Sequence, residues 1–197
     1  MKILGVSGSP RQGGNSDLLL MAMLKAAAES GAATEAVYLR DYRFETCSGC
    51  EKCRKAKQCT GLEDDMQLIY PKVAAASGLV LITPIHHYNM TALMKAFIDR
   101  MYCYYDFGRE RPGNWSSRLG GQGRQVIIAA VGEQSSLEEG GMDLTMETLR
   151  RSVTALGYEI TGELPVLGVF GKGRVKSQAG LLERAAALGQ RLAQSLR

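Results

Sequence analysis

The chain has 197 residues, of which 45% are hydrophobic and 22% are charged, and its formal net charge is +4. This composition is that of a soluble globular protein and excludes a disordered or fibrous one, and no apolar run approaches the ~18 residues needed to cross a bilayer. Lysines and arginines are scattered rather than gathered in a long basic run, which argues against a nucleic-acid partner.

The first predicted element is a buried strand at 2–7. Its apolar part is too short for a secretory signal, so we expect a cytoplasmic protein without a membrane partner. Hydrophobic periodicity then alternates helix and strand: a helix at 18–28 with Asn15 or Ser16 as N-cap, a strand at 34–39, a helix at 66–76, a strand at 78–83 that stops at Pro84, a helix at 91–105, a strand at 125–131, a helix at 142–156, a strand at 159–169 and a helix at 177–195.

This alternation predicts an α/β fold, with a doubly wound five-stranded parallel sheet and helices on both faces. The commonest strand order for five such strands is the flavodoxin-like order 2-1-3-4-5, in which ligands bind beyond the carboxyl ends of the strands. We expect one domain over residues 1–197. The long connection at 106–124 is interpreted as a flap or a subunit-contact loop.

A glycine-rich loop follows the first strand and opens into the first helix, with the sequence Gly8-Ser9-Pro10-Arg11-Gln12-Gly13-Gly14-Asn15-Ser16. Small residues let backbone N–H groups converge on a phosphate, and the helix N-terminus adds partial positive charge. The lysine of a nucleotide-hydrolase P-loop and the dinucleotide fingerprint G-x-G-x-x-G are both absent. The loop is therefore predicted to anchor a phosphate; the alternative is a turn that only joins strand to helix.

Four cysteines lie within thirteen residues, at Cys47, Cys50, Cys53 and Cys59. In a reducing compartment, clustered cysteines more often bind metal or carry out redox chemistry than form disulfides. Three thiols spaced two residues apart, with a fourth reached by a longer loop, are similar to the ligands of a [4Fe-4S] cluster. Free or reversibly oxidised thiols and a zinc site remain alternatives.

Basic residues are threaded between these thiols, at Lys52, Arg54, Lys55 and Lys57. They favour thiolates and offset the negative charge of a cluster. The alternatives are a solvated rim or a docking face for an acidic electron partner. The fifth cysteine, Cys103, is predicted to be a core residue.

Several of these motifs together resemble the NADPH-dependent FMN reductase superfamily, and within it the iron-sulfur flavoprotein branch. The resemblance extends from Met1 to about Leu156. Its motifs are Gly-Ser-Pro-Arg-x-x-Gly-Asn-Ser at 8–16, Cys-x-Gly-Cys-x-x-Cys with a further Cys at 47–59, Asp64-Asp65-Met66, Thr83-Pro84-Ile85, and the run 90–100.

The resemblance implies a flavodoxin-like fold that binds FMN. The residues that would surround the FMN phosphate are Ser9, Arg11, Asn15 and Ser16. The residues that would flank the isoalloxazine ring are Pro84, Ile85, His86, His87, Tyr88 and Asn89. The loop Gly132-Glu133-Gln134 would close the other side of the ring.

Two groups of residues have more than one interpretation. His86 and His87 are adjacent on an extended loop and point apart, so they are expected to shape the flavin pocket rather than share a metal. Either histidine is also a possible proton donor, although no catalytic side chain is strictly required. The arginines of the long loop would meet an NADPH phosphate or lie in solvent: Arg109, Arg111, Arg118 and Arg124.

The functional prediction is an FMN-dependent oxidoreductase or electron-transfer flavoprotein that passes electrons between FMN, a [4Fe-4S] cluster and a partner or small acceptor. The donor would be NAD(P)H or a ferredoxin-like protein, and the acceptor a quinone or an oxygen species. The resemblance also implies a homodimer or homotetramer. The alternatives are an NAD(P)H-dependent FMN or quinone reductase without a cluster, and a non-catalytic FMN electron carrier.

Overall fold

The computed structural model describes residues 1–109 and 113–197. In chain order the elements are β1 (Lys2–Ser7), α1 (Asn15–Glu29), β2 (Ala33–Tyr38), α2 (Lys52–Ala56), α3 (Met66–Ala75), β3 (Gly78–His86), β4 (Asn89–Met90), α4 (Ala92–Arg100), β5 (Tyr105–Phe107), β6 (Trp115–Ser117), β7 (Gln125–Val131), α5 (Met142–Ala155), β8 (Glu159–Val166) and α6 (Leu181–Ser195). Among the described residues, no helix is both long and apolar enough to span a membrane.

Five strands form a parallel sheet in the order β2-β1-β3-β7-β8. This is the predicted 2-1-3-4-5 order, which is therefore confirmed. The sheet is covered on both faces: α1 and α6 pack on one, while α3, α4 and α5 pack on the other. Because both faces are covered, the central strands are apolar along nearly their whole length.

The sequence predicts a strand that stops at Pro84, but β3 continues to His86. Pro84 still pairs in parallel with Val131 of β7, and beyond it the strand turns back to pair in antiparallel fashion with β4. Proline removes one backbone donor but leaves its carbonyl available, so it is tolerated near the end of a strand. The extra residues carry the strand into the loops at the carboxyl edge of the sheet.

Three further predictions were wrong in detail. Helix α1 begins at Asn15 with Gly14 as N-cap, so neither Asn15 nor Ser16 caps it. The helix predicted at 91–105 ends at Arg100, is followed by a 3₁₀ turn, and gives way to the β5–β6 hairpin. The cysteine segment, predicted to be a loop, contains the short helix α2.

Arg124, predicted to bind an NADPH phosphate or to lie in solvent, is buried and does neither. Its guanidinium donates to the carbonyls of Val73, at 3.1 Å, and Ala74, at 2.7 Å, and also to that of Ala76. The cation therefore satisfies the last carbonyls of α3, where the helix dipole favours positive charge. Arg118 also serves the fold, donating to the carbonyl of Cys103 at 2.8 Å. Arg109 is exposed, and Arg111 lies outside the described residues.

Helices α1 and α6 cross closely because Gly189 has no side chain. A Cβ at this position would lie 2.0 Å from the carbonyl oxygen of Met23. We therefore expect Gly189→Ala to lower the free energy of unfolding by about 1–3 kcal/mol, even though alanine favours helix over glycine by about 1 kcal/mol. Urea denaturation measures the change, and an equal or higher stability would contradict the close crossing.

Candidate functional site

The loop between β1 and α1 is held in shape by the buried carboxylate of Asp17. This carboxylate accepts hydrogen bonds from the Ser7 hydroxyl at 2.8 Å and from the Gly13 backbone N–H at 2.8 Å. The Arg40 guanidinium pairs with it at 2.9 Å and also donates to the Ser9 carbonyl at 3.2 Å. Asp17 and Arg40 therefore neutralise each other while fixing the backbone of the loop.

The first turn of α1 opens toward this loop without a side-chain cap. The first backbone N–H groups of a helix have no partner within the helix, and they carry the positive end of its dipole. Ser16 lies in this turn and lines the adjacent cavity. The loop and the helix end together have the donor arrangement of an anion site.

A cavity of about 490 Å³ lies beside this loop, at the carboxyl edge of the sheet, and we call it the anion-loop cavity. Its volume falls in the range of ~300–1,000 Å³ that is usual for small-molecule sites. It is lined by Ser9, Pro10, Arg11, Gly14, Asn15, Ser16, Pro84, Ile85, His86, His87, Tyr88, Val131, Gly132, Glu133, Gln134, Gly140, Val169, Phe170 and Lys172. The cavity thus brings together every residue predicted to contact the cofactor except Asn89, whose amide oxygen accepts the Met90 N–H at 2.8 Å.

The tip of the β3–β4 hairpin is strained. His87 and Tyr88 form its two-residue turn with φ of 46° and 69°, values that glycine or asparagine usually supplies. Such backbone costs of the order of 1–3 kcal/mol per residue and is typical of ligand sites. The turn projects exposed side chains at the rim of the cavity.

Gly141, the N-cap of α5, supports this turn from below. A Cβ there would lie 2.1 Å from the Tyr88 carbonyl oxygen, and the residue has a φ of +82°. We expect Gly141→Ala to displace the hairpin and to weaken the binding of FMN in the cavity by at least about tenfold, equivalent to ~1.4 kcal/mol. The matched control is Gly180→Ala. Gly180 is the N-cap of α6 and has a φ of +72°, but a Cβ there would have no atom within 4 Å. Equal ligand affinities for the two variants, by isothermal titration, would contradict this role.

The side chain of Gln134 supplies a test of what fits the cavity. Its amide nitrogen is buried without a hydrogen-bond partner among the described residues, although the residue lines the cavity. A buried donor without a partner costs about 1–3 kcal/mol. A ligand with ring nitrogen or carbonyl acceptors would satisfy it, which is the chemistry of a flavin edge.

Sequence reasoning missed the segment that follows β8. Phe170 is 65% exposed at the rim of the cavity, and Lys172 also lines it. Arg11 places its guanidinium 5.6 Å from the Phe170 ring, and Asn15 donates to the Gly171 carbonyl at 2.9 Å. The predicted topology could have identified this segment, because the loop after the fifth strand must lie at the same edge of the sheet as the loops after the other strands.

A second cavity, of about 400 Å³, is lined by all five cysteines of the chain, and we call it the cysteine cavity. Its lining shares no residue with that of the anion-loop cavity. All five thiols are free. In the part of the chain that the structure describes, no three histidine, cysteine or acidic side chains are close enough together to hold a metal ion.

The thiols of the cysteine cavity differ in their environments. The Lys52 backbone N–H and the Ser48 hydroxyl hold the pKa of Cys50 below its usual value, whereas burial and the neighbouring Cys59 raise the pKa of Cys53. Burial, followed by the charge of Cys59, raises the pKa of Cys103 to about 12. The pKa values of Cys53 and Cys103 are therefore both raised in part by Cys59.

A labelling order follows from these environments. In metal-free protein at about pH 8, iodoacetamide should modify the exposed Cys50 first and leave the buried Cys103 unmodified, because only an accessible thiolate reacts. Peptide mass spectrometry at increasing times of exposure gives the order. Modification of Cys103 as fast as that of Cys50 would show that the thiols are arranged differently.

Comparisons with known proteins agree with this geometry. The family model described as NADPH-dependent FMN reductase matches residues 1–148. A relative named iron-sulfur flavoprotein, from Methanocaldococcus jannaschii, is 30% identical and the alignment covers 98% of this chain and 96% of the relative.

Two solved structures share the fold. An NAD(P)H:quinone oxidoreductase from Methanothermobacter marburgensis superposes with a TM-score of 0.72 at 17% identity, covering 100% of this chain and 99% of its own. An FMN-dependent NADH-azoreductase from Bacillus anthracis, in complex with FMN, gives a TM-score of 0.71 at 15% identity, covering 98% and 99%. At such identities these structures establish the flavodoxin-like fold of the chain.

Proposed function

The chain belongs to the NADPH-dependent FMN reductase family, in its iron-sulfur flavoprotein branch, and is an oxidoreductase; we propose that it passes electrons between an FMN in the anion-loop cavity, a [4Fe-4S] cluster in the cysteine cavity and a partner or small acceptor. One observation supports this proposal most strongly. The uncapped N-terminus of α1, the small-residue loop before it and the unpartnered buried amide of Gln134 all lie around one cavity.

The anion-loop cavity suits FMN at both ends of that molecule. The first turn of α1 and the side chains of Ser9 and Ser16 offer donors to a phosphate, while Arg11 and Lys172 offer charge nearby. At the other end, the hairpin tip at His87 and Tyr88 and the Gln134 amide would bound the ring system. Bound FMN supplies the hydride and single-electron chemistry.

The residues of the chain then have defined tasks. The loop fixed by Asp17 and Arg40 would bind and orient the phosphate, and the hairpin tip would cover one side of the ring. Phe170 stands at the rim, where it would limit the access of water. His86 and His87 are exposed at the cavity, where either side chain would be able to hold a proton beside the ring.

The cysteine cavity fits a cluster by the chemistry of its donors. Four thiols from one short segment line a single cavity and are free of disulfides. Thiolates in this number are the usual ligands of a [4Fe-4S] cluster, and zinc sites more often use two separated pairs. Lys52, which is exposed beside Cys50, would offset part of the negative charge.

For partners, we propose NAD(P)H or a ferredoxin-like protein as donor and a quinone or an oxygen species as acceptor. The assembly proposed is a homodimer or homotetramer. A second candidate is a reductase without a cluster, favoured by the lack of any gathered metal-binding set among the described residues.

Spectra and turnover separate these functions. In anaerobically purified protein, FMN alone gives two resolved visible bands, whereas a cluster adds broad absorption between and beyond them. Steady-state NADPH oxidation with a quinone then distinguishes an enzyme from a carrier, which should scarcely turn over. Two flavin bands alone, with rapid NADPH oxidation, would favour the cluster-free reductase.

A further inference from the structure

Arg100 is a fully buried cation at the end of α4, and it borders the cysteine cavity. Its guanidinium donates from Nη2 to the sulfur of Cys59 at 3.5 Å. No motif in the sequence pointed to this contact, because the two residues are 41 positions apart.

The position of the guanidinium is fixed by four other hydrogen bonds. Asp64 accepts two of them, at 2.6 and 3.0 Å, in the bidentate arrangement typical of arginine with a carboxylate. The Glu45 carbonyl accepts at 2.9 Å and the Tyr70 hydroxyl at 3.1 Å. All five N–H donors of Arg100 therefore have partners, and the bond to sulfur is one that the surrounding residues hold in place.

Helix α4 ties this contact to the anion-loop cavity. Its N-cap, Thr91, donates to the carbonyl of Gly8 in the anion loop at 2.8 Å. Its nine residues, about 13 Å of helix, lead from there to Arg100 at the cysteine cavity. One helix therefore connects the anion loop to the arginine that borders the cysteine cavity.

We propose that Arg100 is a positioning residue for the cysteine cavity, which holds Cys59 and stabilises negative charge on its sulfur, so that the reduction potential of the bound cluster is raised. The inference rests on the proposed cluster. Reduction adds negative charge to a cluster, and hydrogen bonds to its sulfurs favour the reduced state. The residues that accept hydrogen bonds from the Arg100 guanidinium do not line the anion-loop cavity, so the effect of Arg100 should be confined to the cysteine cavity.

Redox titration of anaerobically purified protein tests the proposal, with the cluster followed by electron paramagnetic resonance and FMN by visible absorbance. Arg100→Lys keeps the positive charge but loses the planar guanidinium that donates to Asp64 and Cys59 together. It should therefore lower the reduction potential of the cluster. The double variant Arg100→Gln with Asp64→Asn should lower it further, and it leaves no unpaired charge in the interior. The control Asp99→Asn removes a partly exposed negative charge from the lining of the same cavity, leaves the Arg100–Asp64 pair intact, and should shift the potential in the opposite direction. The FMN potential should stay unchanged in all three.

If Arg100 had only a structural role, the Arg100 variants and the control would not shift the cluster potential in opposite directions. Unchanged cluster potentials in both Arg100 variants, or equal shifts of cluster and FMN, would overturn the inference while leaving the proposed function intact. Wild-type protein without iron and acid-labile sulfide would instead overturn the cluster itself, and the inference with it. If an Arg100 variant binds too little cluster to titrate, Tyr70→Phe, which removes one of the bonds that fix the guanidinium, should give a smaller negative shift.

Discussion

Replacing Cys53 with serine is expected to reduce the iron and acid-labile sulfide of anaerobically purified protein to background while FMN stays bound. Cys53 is half-buried in the cysteine cavity, and its thiol interacts electrostatically with those of Cys47, Cys50 and Cys59. A serine hydroxyl does not replace the thiolate that the cluster requires. FMN should be retained because the two cavities share no lining residue.

The matched control is Cys103→Ser. Cys103 lines the same cavity but lies outside the cysteine-rich segment, and it is buried with a pKa of about 12. It should keep its iron and sulfide. Loss of iron in both variants would indicate a general disruption of the cavity. Retention of iron in both would show that Cys53 is not a ligand of the cluster.

Replacing Ser16 with aspartate is expected to weaken FMN binding by at least about 100-fold, equivalent to ~2.8 kcal/mol. Ser16 lies in the first turn of α1 and lines the anion-loop cavity, so the new carboxylate would face the phosphate of FMN. Opposed like charges in a binding site cost several kcal/mol. Fluorescence titration of flavin-free protein measures the affinity.

Two controls separate charge repulsion from damage to the fold. Ser16 is buried and adjacent to the Asp17 carboxylate, so the new charge should also lower the stability of the flavin-free variant, and circular dichroism should show that the variant is still folded. Riboflavin, which lacks the phosphate, should bind wild type and variant alike. A similar loss of riboflavin and FMN binding would show that the phosphate does not lie at the helix end.

The sheet order and the cavity loops were predictable because their causes are local. Strands such as 125–131 are continuously apolar, and the helices between them alternate regularly, so the topology follows from general rules. The loop Gly8–Ser16 carries its chemistry in its own residues. Once the topology is fixed, the loops after the first, third and fourth strands must meet at one edge.

The features that the sequence did not predict depend on contacts between distant segments. Arg100 resembles an ordinary helix residue until Asp64, Tyr70 and Cys59 are folded around it. Arg124 resembled a loop cation until the end of α3 was placed against it. Pro84 resembled a strand terminator, since its pairing with β7 is invisible in the local pattern.

We propose that one chain holds two different redox centres, FMN and a [4Fe-4S] cluster, in two separate cavities. The most direct measurement is the content of FMN, iron and acid-labile sulfide in a single anaerobic preparation. We expect one FMN with about four irons and four sulfides per chain. Protein that binds FMN without iron, or iron without FMN, would contradict it.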